Sequence, residues 1–294
     1  MHTTAALALS EATTALRAAG IEAARLEAEL LLSGGMGISR SALRLEPGLP
    51  LDEANAASFR NAVARRSQRE PIQYILGRAG FRSLELHVDA RVLIPRPETE
   101  SLVGAVLDWA GRRGRWGTVA DIGTGSGAIS LSLAAEGRFS HVIGTDVSHD
   151  ALDVARENAM RLGLEDRIAL RAGSLWNALP AGTRFDAIVS NPPYVAQEER
   201  PHLMPEVADW EPAVALFAED KGLRVLFALL DGAQEWLRPG GLLALEIGSG
   251  QGEAVRRRAQ QENYEEIRIL RDLAGRERII LAERGRTVVR RTTG

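Results

Sequence analysis

The chain contains no cysteine, which excludes disulfide bonds, thiolate zinc sites and cysteine nucleophiles. Its five histidines show no paired spacing of the kind that binds a metal ion, so the sequence predicts no metal site. It also lacks an apolar run of about 18 residues, so no segment is predicted to span a membrane. The first residues, MHTTAALALSEATT, have no basic region and are interpreted as a helix and not as a leader. These absences predict a cytoplasmic protein.

An excess of positive charge is missing as well. The chain has 36 basic and 39 acidic residues, a formal net charge of -3 and a pI near 6.0. Proteins whose main task is to bind a nucleic-acid backbone concentrate positive charge, so direct DNA binding is not expected. With 45% hydrophobic and 26% charged residues over 294 positions, the composition is that of a globular protein with one large domain, or an ordinary domain plus a smaller one.

Apolar residues recur at helical spacing in the first part of the chain and change to strand spacing near residue 81. The helical pattern predicts a small all-helical N-terminal domain over residues 1–80. The alternation of Leu84, Leu86 and Val88 with polar residues predicts a β-hairpin linker over residues 81–100.

Short apolar strands alternate with helices over residues 101–284. This pattern predicts an α/β domain with a doubly wound, mostly parallel sheet of seven strands and helices on both faces. The last two apolar runs lie a few residues apart around Gly275, which is typical of an antiparallel hairpin at one edge of the sheet. Residues 285–294 are predicted to form a flexible basic tail.

A glycine-rich turn, DIGTGSGA at residues 121–128, follows the first strand of this domain. Gly123, Gly125 and Gly127 allow the backbone to turn sharply and to approach a ligand closely, and that ligand would lie over the carboxyl ends of the strands. The same letters satisfy a nucleoside-binding turn and the GxGxxA form of the dinucleotide fingerprint, so the motif alone leaves both open. The alternative is that the glycines serve only tight packing of strand and helix.

Two residues after the next strands extend this site. Asp146 ends the second strand, where a carboxylate accepts two hydrogen bonds from the hydroxyls of a ribose. The alternative is that Asp146 belongs to the start of the next helix, for which Ser148 is the better N-cap. Trp176 follows the third strand, and two roles stay open for it, stacking on a purine or ordinary packing.

The tetrapeptide Asn191-Pro192-Pro193-Tyr194 ends the fourth strand, beside the glycine turn. The two prolines fix their own backbone angles and extend the residues before them, so the segment is stiff. It presents two acceptors, the side-chain oxygen of Asn191 and the carbonyl of Pro192, to the two hydrogens of an NH2 group, and Tyr194 supplies a flat wall. The alternative, a proline turn that merely ends a strand, explains less of this pattern.

Such an acceptor pair suits an amide or aromatic amine whose nitrogen must become a nucleophile. Two hydrogen-bond acceptors orient that nitrogen and favour electron density on it. Holding it in line with a sulfonium methyl group makes the displacement effectively unimolecular. A strong base is not required, because a nitrogen that has just gained a methyl group is very acidic. The dinucleotide fingerprint would indicate a dehydrogenase. Hydride transfer does not need such an acceptor pair, so NPPY disfavours this interpretation of the glycine turn.

With these motifs, the chain resembles the class I S-adenosylmethionine-dependent methyltransferases, and specifically the bacterial release-factor glutamine methyltransferases (the HemK/PrmC family). The resemblance covers nearly everything after residue 65. It is carried by REPIQYILG (69–77), FRSLELHV (81–88), VLIPRPETE (92–100), DIGTGSGAI (121–129), GTDVS (144–148), SNPPY (190–194), LEIGSGQG (245–252) and DLAGRER (272–278). The fold that it implies is the Rossmann-like fold of class I methyltransferases.

The resemblance implies S-adenosylmethionine as the methyl donor, with S-adenosylhomocysteine as the product. The residues that it implies for binding this cofactor are Gly123, Thr124, Gly125, Ser126, Gly127, Asp146, Trp176 and Asn191. It implies a catalytic role for Asn191, Pro192 and Tyr194, and it implies substrate binding by Asn191, Pro192, Pro193 and Tyr194.

The acceptor implied by the resemblance is the glutamine in the Gly-Gly-Gln motif of peptide-chain release factors, whose methylation modulates translation termination. The N-terminal helical domain is expected to hold part of this protein substrate, although its sequence assigns no docking residues. Related enzymes that modify a ribosomal-protein glutamine share NPPY, but the intact IPRPETE segment favours the release-factor branch. Two interpretations of that segment stay open: its prolines are structural, or Glu98, Thr99 and Glu100 border the donor site.

Two other functions compete with this one. An adenine amino-group methyltransferase acting on DNA would present the same two hydrogens to NPPY, but the charge and the absence of a target-recognition domain disfavour it. A binding module that kept the adenosyl pocket and lost catalysis is disfavoured by the intact Asn191, both prolines and Tyr194.

Overall fold

The alternating strands and helices of the sequence assemble around one large sheet. The computed structural model describes residues 4–286, and residues 287–294 of the predicted basic tail lie outside that range. The strands are β1 (Arg78–Phe81), β2 (Leu84–His87), β3 (Thr118–Ile122), β4 (His141–Asp146), β5 (Ile168–Ala172), β6 (Phe185–Ser190), β7 (Leu237–Glu246), β8 (Tyr264–Arg271) and β9 (Glu277–Arg284).

The helices connect these strands and also make up the first part of the chain. They are α1 (Ala5–Ala18), α2 (Ala24–Met36), α3 (Arg40–Leu45), α4 (Glu53–Ser67), α5 (Ile72–Leu76), α6 (Pro97–Arg113), α7 (Ala128–Glu136), α8 (His149–Leu162), α9 (Pro205–Ala208), α10 (Ala213–Leu216), α11 (Arg224–Trp236) and α12 (Gly252–Gln261). None of the helices in residues 4–286 combines the length and apolar character needed to cross a bilayer.

The large sheet has the strand order β5-β4-β3-β6-β7-β9-β8. The five strands from β3 to β7 run parallel. Strand β9 is antiparallel to β7 and to β8, and β8 and β9 form the predicted hairpin around Gly275. Strands β1 and β2 pair in a separate two-stranded sheet. The predicted seven-stranded, mostly parallel sheet with a helical N-terminal part and a hairpin is confirmed.

Alternating side chains of the central strands supply the core on both faces of the sheet. Helices α6 and α7 cover one face, and α11 and α12 cover the other. The strand residues that pack toward α6 and α7 include Val119, Val142, Ala187 and Leu242, and those that pack toward α11 and α12 include Ala120, Ile143, Ile188 and Leu243. Burial on both faces explains why these strands are nearly continuous apolar runs in the sequence.

The strand order reverses at the centre of the sheet. The chain runs outward from β3 to β4 and β5, returns to β6 on the other side of β3, and continues to β7. In open α/β sheets, ligands bind at the carboxyl ends of the strands where the order reverses. The glycine turn follows β3 and NPPY follows β6, so the topology brings both motifs to this position.

The described chain forms two compact units. The first contains the chain up to Arg78 together with Leu203–Trp210, and the second contains Ala79–His202 and the chain from Glu211 onward. In the first unit, α1, α2 and α4 pack around alanines, leucines and Phe59. The segment Leu203–Trp210 is far in sequence from these helices, and the predicted N-terminal domain of residues 1–80 does not include it.

Candidate active site

A single cavity of about 510 Å³ lies at the carboxyl ends of β3, β4 and β6. The glycine turn, Asp146 and NPPY all contribute to its lining. A volume of this size is typical of small-molecule sites, which span roughly 300–1,000 Å³. The two motifs that the sequence analysis singled out therefore meet at one site.

The glycine turn exposes its backbone to the cavity at two of its three glycines. Gly123 and Gly125 line the cavity with φ of 76° and 55°, and a Cβ at either position would meet open space. Gly127 does not line the cavity. A Cβ on Gly127 would lie 2.8 Å from Cδ1 of Leu131 in α7, so the absence of a side chain leaves room for Leu131 at the start of the helix. The predicted residues Thr124 and Ser126 are buried and also contribute to the lining.

Asp121, the last residue but one of β3, fixes the glycine turn through hydrogen bonds. Its Oδ2 accepts hydrogen bonds from Thr124 Oγ1 at 2.6 Å and from the backbone N–H of Ser130 at 3.1 Å. Its Oδ1 is buried and has no hydrogen-bond partner within the described residues. Burial raises the pKa of Asp121 to about 7, although the hydrogen bonds oppose the shift. This role is not predicted from the sequence, where an acidic residue at the end of an apolar strand is the available signal.

We expect Asp121 to make the stability of the protein pH-dependent. The ordinary pKa of the carboxyl is 3.8 and the folded value is about 7, so between these values the folded chain binds more protons than the unfolded chain. The contribution of Asp121 to the free energy of unfolding should therefore be fully present below about pH 4 and be lost as the pH rises to about 7, by at most ~1.4 kcal/mol per pH unit. Urea denaturation of the protein and of Asp121→Asn at pH 5, 6 and 7 measures this. A difference between the two proteins that does not change with pH would contradict the expectation.

Asp146 joins the end of β4 to the glycine turn. Its Oδ2 accepts the backbone N–H of Gly125 at 2.9 Å, and its Oδ1 accepts that of Ser148 at 2.9 Å. Ser148 is the N-cap of α8, as the sequence predicts, because its hydroxyl accepts the N–H of Ala151. Burial raises the pKa of Asp146, and backbone hydrogen bonds oppose the shift. Each Asp146 oxygen keeps a lone pair for a ligand, and the residue lines the cavity.

NPPY begins directly after a completely buried strand. Asn191, Pro192 and Pro193 line the cavity. The Asn191 side-chain Nδ2 donates to Thr99 Oγ1 at 3.1 Å, so its Oδ1 is the acceptor that remains. Behind the motif, Gln251 Nε2 donates to the carbonyl of Tyr194 at 3.0 Å, which fixes the backbone at the end of the tetrapeptide.

The sequence predicts that Tyr194 forms a flat wall of the cavity, but the structure does not place it there. It is not among the residues that line the cavity, and its hydroxyl donates to Glu246 Oε1 at 3.1 Å. Burial and the neighbouring Glu246 carboxylate raise the pKa of the Tyr194 hydroxyl, which therefore stays protonated as a donor. The prolines make up the wall at this position instead.

Trp176 is also absent from the cavity lining. Its ring stacks on Trp236 with centroids 6.4 Å apart, and its Nε1 donates to the carbonyl of Ala228 at 3.3 Å. A Cβ on Gly232 would lie 2.1 Å from that Nε1, so α11 accommodates the indole only with glycine there. Of the two roles that the sequence left open for Trp176, the structure favours packing, and its neighbour Leu175, with a left-handed φ of 46°, lines the cavity.

The IPRPETE segment contributes both structure and lining. Arg96 Nη2 lies 2.5 Å from Glu211 Oε1, Pro97 occupies the first position of α6, and Glu100 accepts the backbone N–H of Arg82 at 2.9 Å. Thr99 is buried, lines the cavity and bonds Asn191. Of the three residues proposed to border the donor site, Thr99 lines the cavity and Glu98 and Glu100 do not. Of the two prolines, Pro97 has the structural role at the start of α6, whereas Pro95 lines the cavity.

Two protein-family models match the chain. One is described as the PrmC N-terminal domain and matches residues 8–77, and the other is the methyltransferase small domain and matches residues 105–207. Together the matched ranges contain the helical part of the chain, the glycine turn, Asp146 and NPPY.

Known proteins resemble the chain over nearly its full length. A release factor glutamine methyltransferase from Moorella thermoacetica is 45% identical over 278 residues, which cover 94% of this chain and 97% of that protein. The protein of the same name from Cereibacter sphaeroides is 42% identical over 278 residues, which cover 95% and 98%. A methyltransferase of known crystal structure from Pyrococcus furiosus aligns with a TM-score of 0.51 at 21% identity, covering 69% of this chain and 89% of that one, and supports the fold alone.

Proposed function

This chain belongs to the release factor glutamine methyltransferase family, and on that premise we propose that it transfers a methyl group from S-adenosylmethionine to the side-chain amide nitrogen of the glutamine in the Gly-Gly-Gln motif of peptide-chain release factors. S-Adenosylhomocysteine is the second product. The observation that carries the proposal is that the glycine turn, Asp146 and the first three residues of NPPY line one cavity.

The side of the cavity next to β3 and β4 fits S-adenosylmethionine. Gly123 and Gly125 leave open space above their backbone, and the carboxylate of Asp146 is available to ribose hydroxyls. Val147 and Leu175 add apolar surface for a purine. When bound, S-adenosylmethionine supplies a methyl group on a positively charged sulfur. We propose that Trp176 supports this site through its neighbour Leu175.

The side of the cavity next to β6 suits a carboxamide. The oxygen of Asn191 and the carbonyl of Pro192 accept the two amide hydrogens, which orients the glutamine nitrogen toward the donor and raises electron density on it. The rigid prolines hold these acceptors in position before the substrate binds, so little conformational entropy is lost on binding. After the methyl group is transferred, the nitrogen releases a proton to water. We propose that Tyr194 supports the motif through its hydroxyl.

We also propose a separate role for each part of the chain. Residues 1–80 recognise the release factor, residues 81–100 act as a linker that contains strand β2 of the hairpin, and residues 101–284 form the S-adenosylmethionine-dependent methyltransferase domain. The match of residues 8–77 to the PrmC N-terminal domain supports a dedicated helical domain. We propose a cytoplasmic location, because the substrates act in translation.

The proposed function is tested with purified protein and S-adenosylmethionine that carries a labelled methyl group. The label should enter a release factor, but it should not enter the same release factor with the motif glutamine replaced by alanine. Duplex DNA in a third reaction tests the adenine methyltransferase alternative. Equal labelling of both release factors, or labelling of the DNA alone, would contradict the proposal.

Replacing Asp146 with alanine should mainly weaken donor binding. The lost charge-assisted hydrogen bonds to the ribose are worth ~1–3 kcal/mol, so the dissociation constant should rise roughly 5- to 150-fold. Isothermal titration calorimetry with S-adenosylhomocysteine measures this. Asp150→Ala is a suitable control, because Asp150 is exposed in the first turn of α8. An unchanged dissociation constant in Asp146→Ala would argue against the ribose contact.

A further inference from the structure

Four side chains from three separate parts of the second unit form one hydrogen-bonded network behind the acceptor side of the cavity. Asn191 Nδ2 donates to Thr99 Oγ1 at 3.1 Å, Thr99 Oγ1 donates to Glu246 Oε2 at 2.6 Å, and Tyr194 OH donates to Glu246 Oε1 at 3.1 Å. Thr99 lies in the first turn of α6, Asn191 and Tyr194 follow β6, and Glu246 ends β7. The network therefore joins IPRPETE, NPPY and LEIG, three motifs that are far apart in the sequence.

With Glu246 ionised, the number of available protons sets the direction of every bond in this network. A threonine hydroxyl has one proton, and Thr99 donates it to the Glu246 carboxylate at a distance typical of a charge-assisted bond. Thr99 Oγ1 can then only accept from Asn191, so it selects the NH2 end of the Asn191 amide. The Asn191 Oδ1 is left to accept a hydrogen bond in the cavity. A reversed amide would direct its NH2 group at the substrate NH2 group, where neither could accept.

Burying the carboxylate of Glu246 at this position costs free energy of folding. Glu246 follows the buried apolar run of residues 242–245 in β7, and only 1% of the residue is exposed. Both of its hydrogen bonds in the described structure come from neutral hydroxyl groups. Burial raises its pKa, and the bonds from Thr99 and Tyr194 oppose that shift. A buried carboxylate without a hydrogen-bonded cation costs free energy relative to an apolar side chain, so its presence points to a role beyond packing.

We propose that Thr99 and Glu246 are positioning residues for methyl transfer: Glu246 accepts hydrogen bonds from Thr99 and Tyr194, and Thr99 thereby holds the Asn191 amide with its oxygen toward the glutamine nitrogen. This inference rests on the proposed function of NPPY. It assigns a role to a threonine of the IPRPETE segment that is separate from donor binding. It also explains why the Tyr194 hydroxyl points away from the cavity.

Thr99→Val tests the inference, because valine has nearly the shape of threonine and offers neither donor nor acceptor. The Asn191 amide then loses its orientation, and kcat should fall about 10-fold or more, the usual consequence of losing one oriented hydrogen bond. The dissociation constant of S-adenosylhomocysteine should change less than about 3-fold, since donor binding does not use the orientation of the amide. Any rise in the KM for the release factor should be smaller than the fall in kcat. Thr99→Ser keeps the hydroxyl and should restore most of kcat.

Glu246→Gln tests the direction of the Thr99–Glu246 hydrogen bond by changing its acceptor. Glutamine has one oxygen and one NH2 group, so it cannot accept from Thr99 and Tyr194 on separate oxygens. If its NH2 group faces Thr99, the Thr99 proton turns to Asn191 and selects the reversed amide. We expect kcat to fall about 10-fold or more here as well, and Tyr194→Phe to have a smaller effect because Thr99 keeps its partner. Glu100→Gln is the matched control, since Glu100 adjoins Thr99 but bonds Arg82.

The measurements use the full chain, S-adenosylmethionine and a release factor, and thermal unfolding confirms that each variant is folded. Normal kcat in Thr99→Val, with the unaltered protein active, would overturn the inference and leave the proposed function intact. An equal loss in Thr99→Val and Thr99→Ser would also overturn it, because serine retains the hydroxyl. Failure of the unaltered protein to methylate the release factor would overturn the proposed function, and this inference with it.

Discussion

Asn191→Ala should lower kcat for release-factor methylation at least ~100-fold, the loss typical of removing one preorganised polar group from an active site. The Asn191 oxygen is one of two acceptors proposed to orient the glutamine nitrogen, and alanine removes it together with the bond to Thr99. Water that replaces the side chain cannot hold the nitrogen in line with the donor. Donor affinity should fall less than kcat, because Asp146 and the glycine turn remain.

Single-turnover kinetics with saturating donor separates these effects. Asn177→Ala is the control, because Asn177 is exposed and absent from the cavity lining. Near-normal turnover in Asn191→Ala would refute the role assigned to the residue. A loss of donor affinity as large as the loss of kcat would assign Asn191 to the donor and not to the acceptor.

Arg66→Met should lower the free energy of unfolding by ~3 kcal/mol, at the low end of the cost of breaking a buried ion pair. Arg66 is 5% exposed, lies 2.5 Å from Glu27 Oε2 and 2.9 Å from Glu206 Oε1, and donates to the carbonyl of Glu70. Methionine fills similar space but leaves Glu27 with its acceptors unpaired. The cost is at the low end because Arg69 still pairs with Glu206, at 2.7 Å.

Urea denaturation followed by circular dichroism measures this loss, with Arg60→Met as a matched control in the same helix. The Arg60 and Glu53 side chains are 59% and 87% exposed, so breaking that pair should cost less than ~1 kcal/mol. Equal stability losses in the two variants would contradict the larger cost expected for the buried ion pairs of Arg66.

The main features of the fold and of the cavity could be predicted because they depend on local signals and simple topology. Alternating apolar strands and helices imply a parallel sheet, and parallel strands bring the residues after β3, β4 and β6 to the same edge. For this reason the sequence alone predicts that Gly125, Asp146 and Asn191 lie together. The hairpin of β8 and β9 was predictable from the short turn around Gly275.

Other features depend on contacts between distant residues that no local pattern encodes. The bonds from Thr99 to Asn191 and to Glu246 span 92 and 147 positions in the sequence, and each requires a particular rotamer in the folded core. The position of Trp176 depends on Gly232 in α11, which leaves room for the indole. Pairing of Glu206 with Arg66 spans 140 positions.

The central claim is that a stiff pair of oxygens at NPPY holds a glutamine carboxamide beside the methyl donor. Tandem mass spectrometry of a release factor incubated with this protein and S-adenosylmethionine tests it most directly. We expect one added CH2 on the side chain of the Gly-Gly-Gln glutamine, present with the unaltered protein and nearly absent with Asn191→Ala. An unmodified glutamine, or a methyl group on any other residue, would contradict the claim.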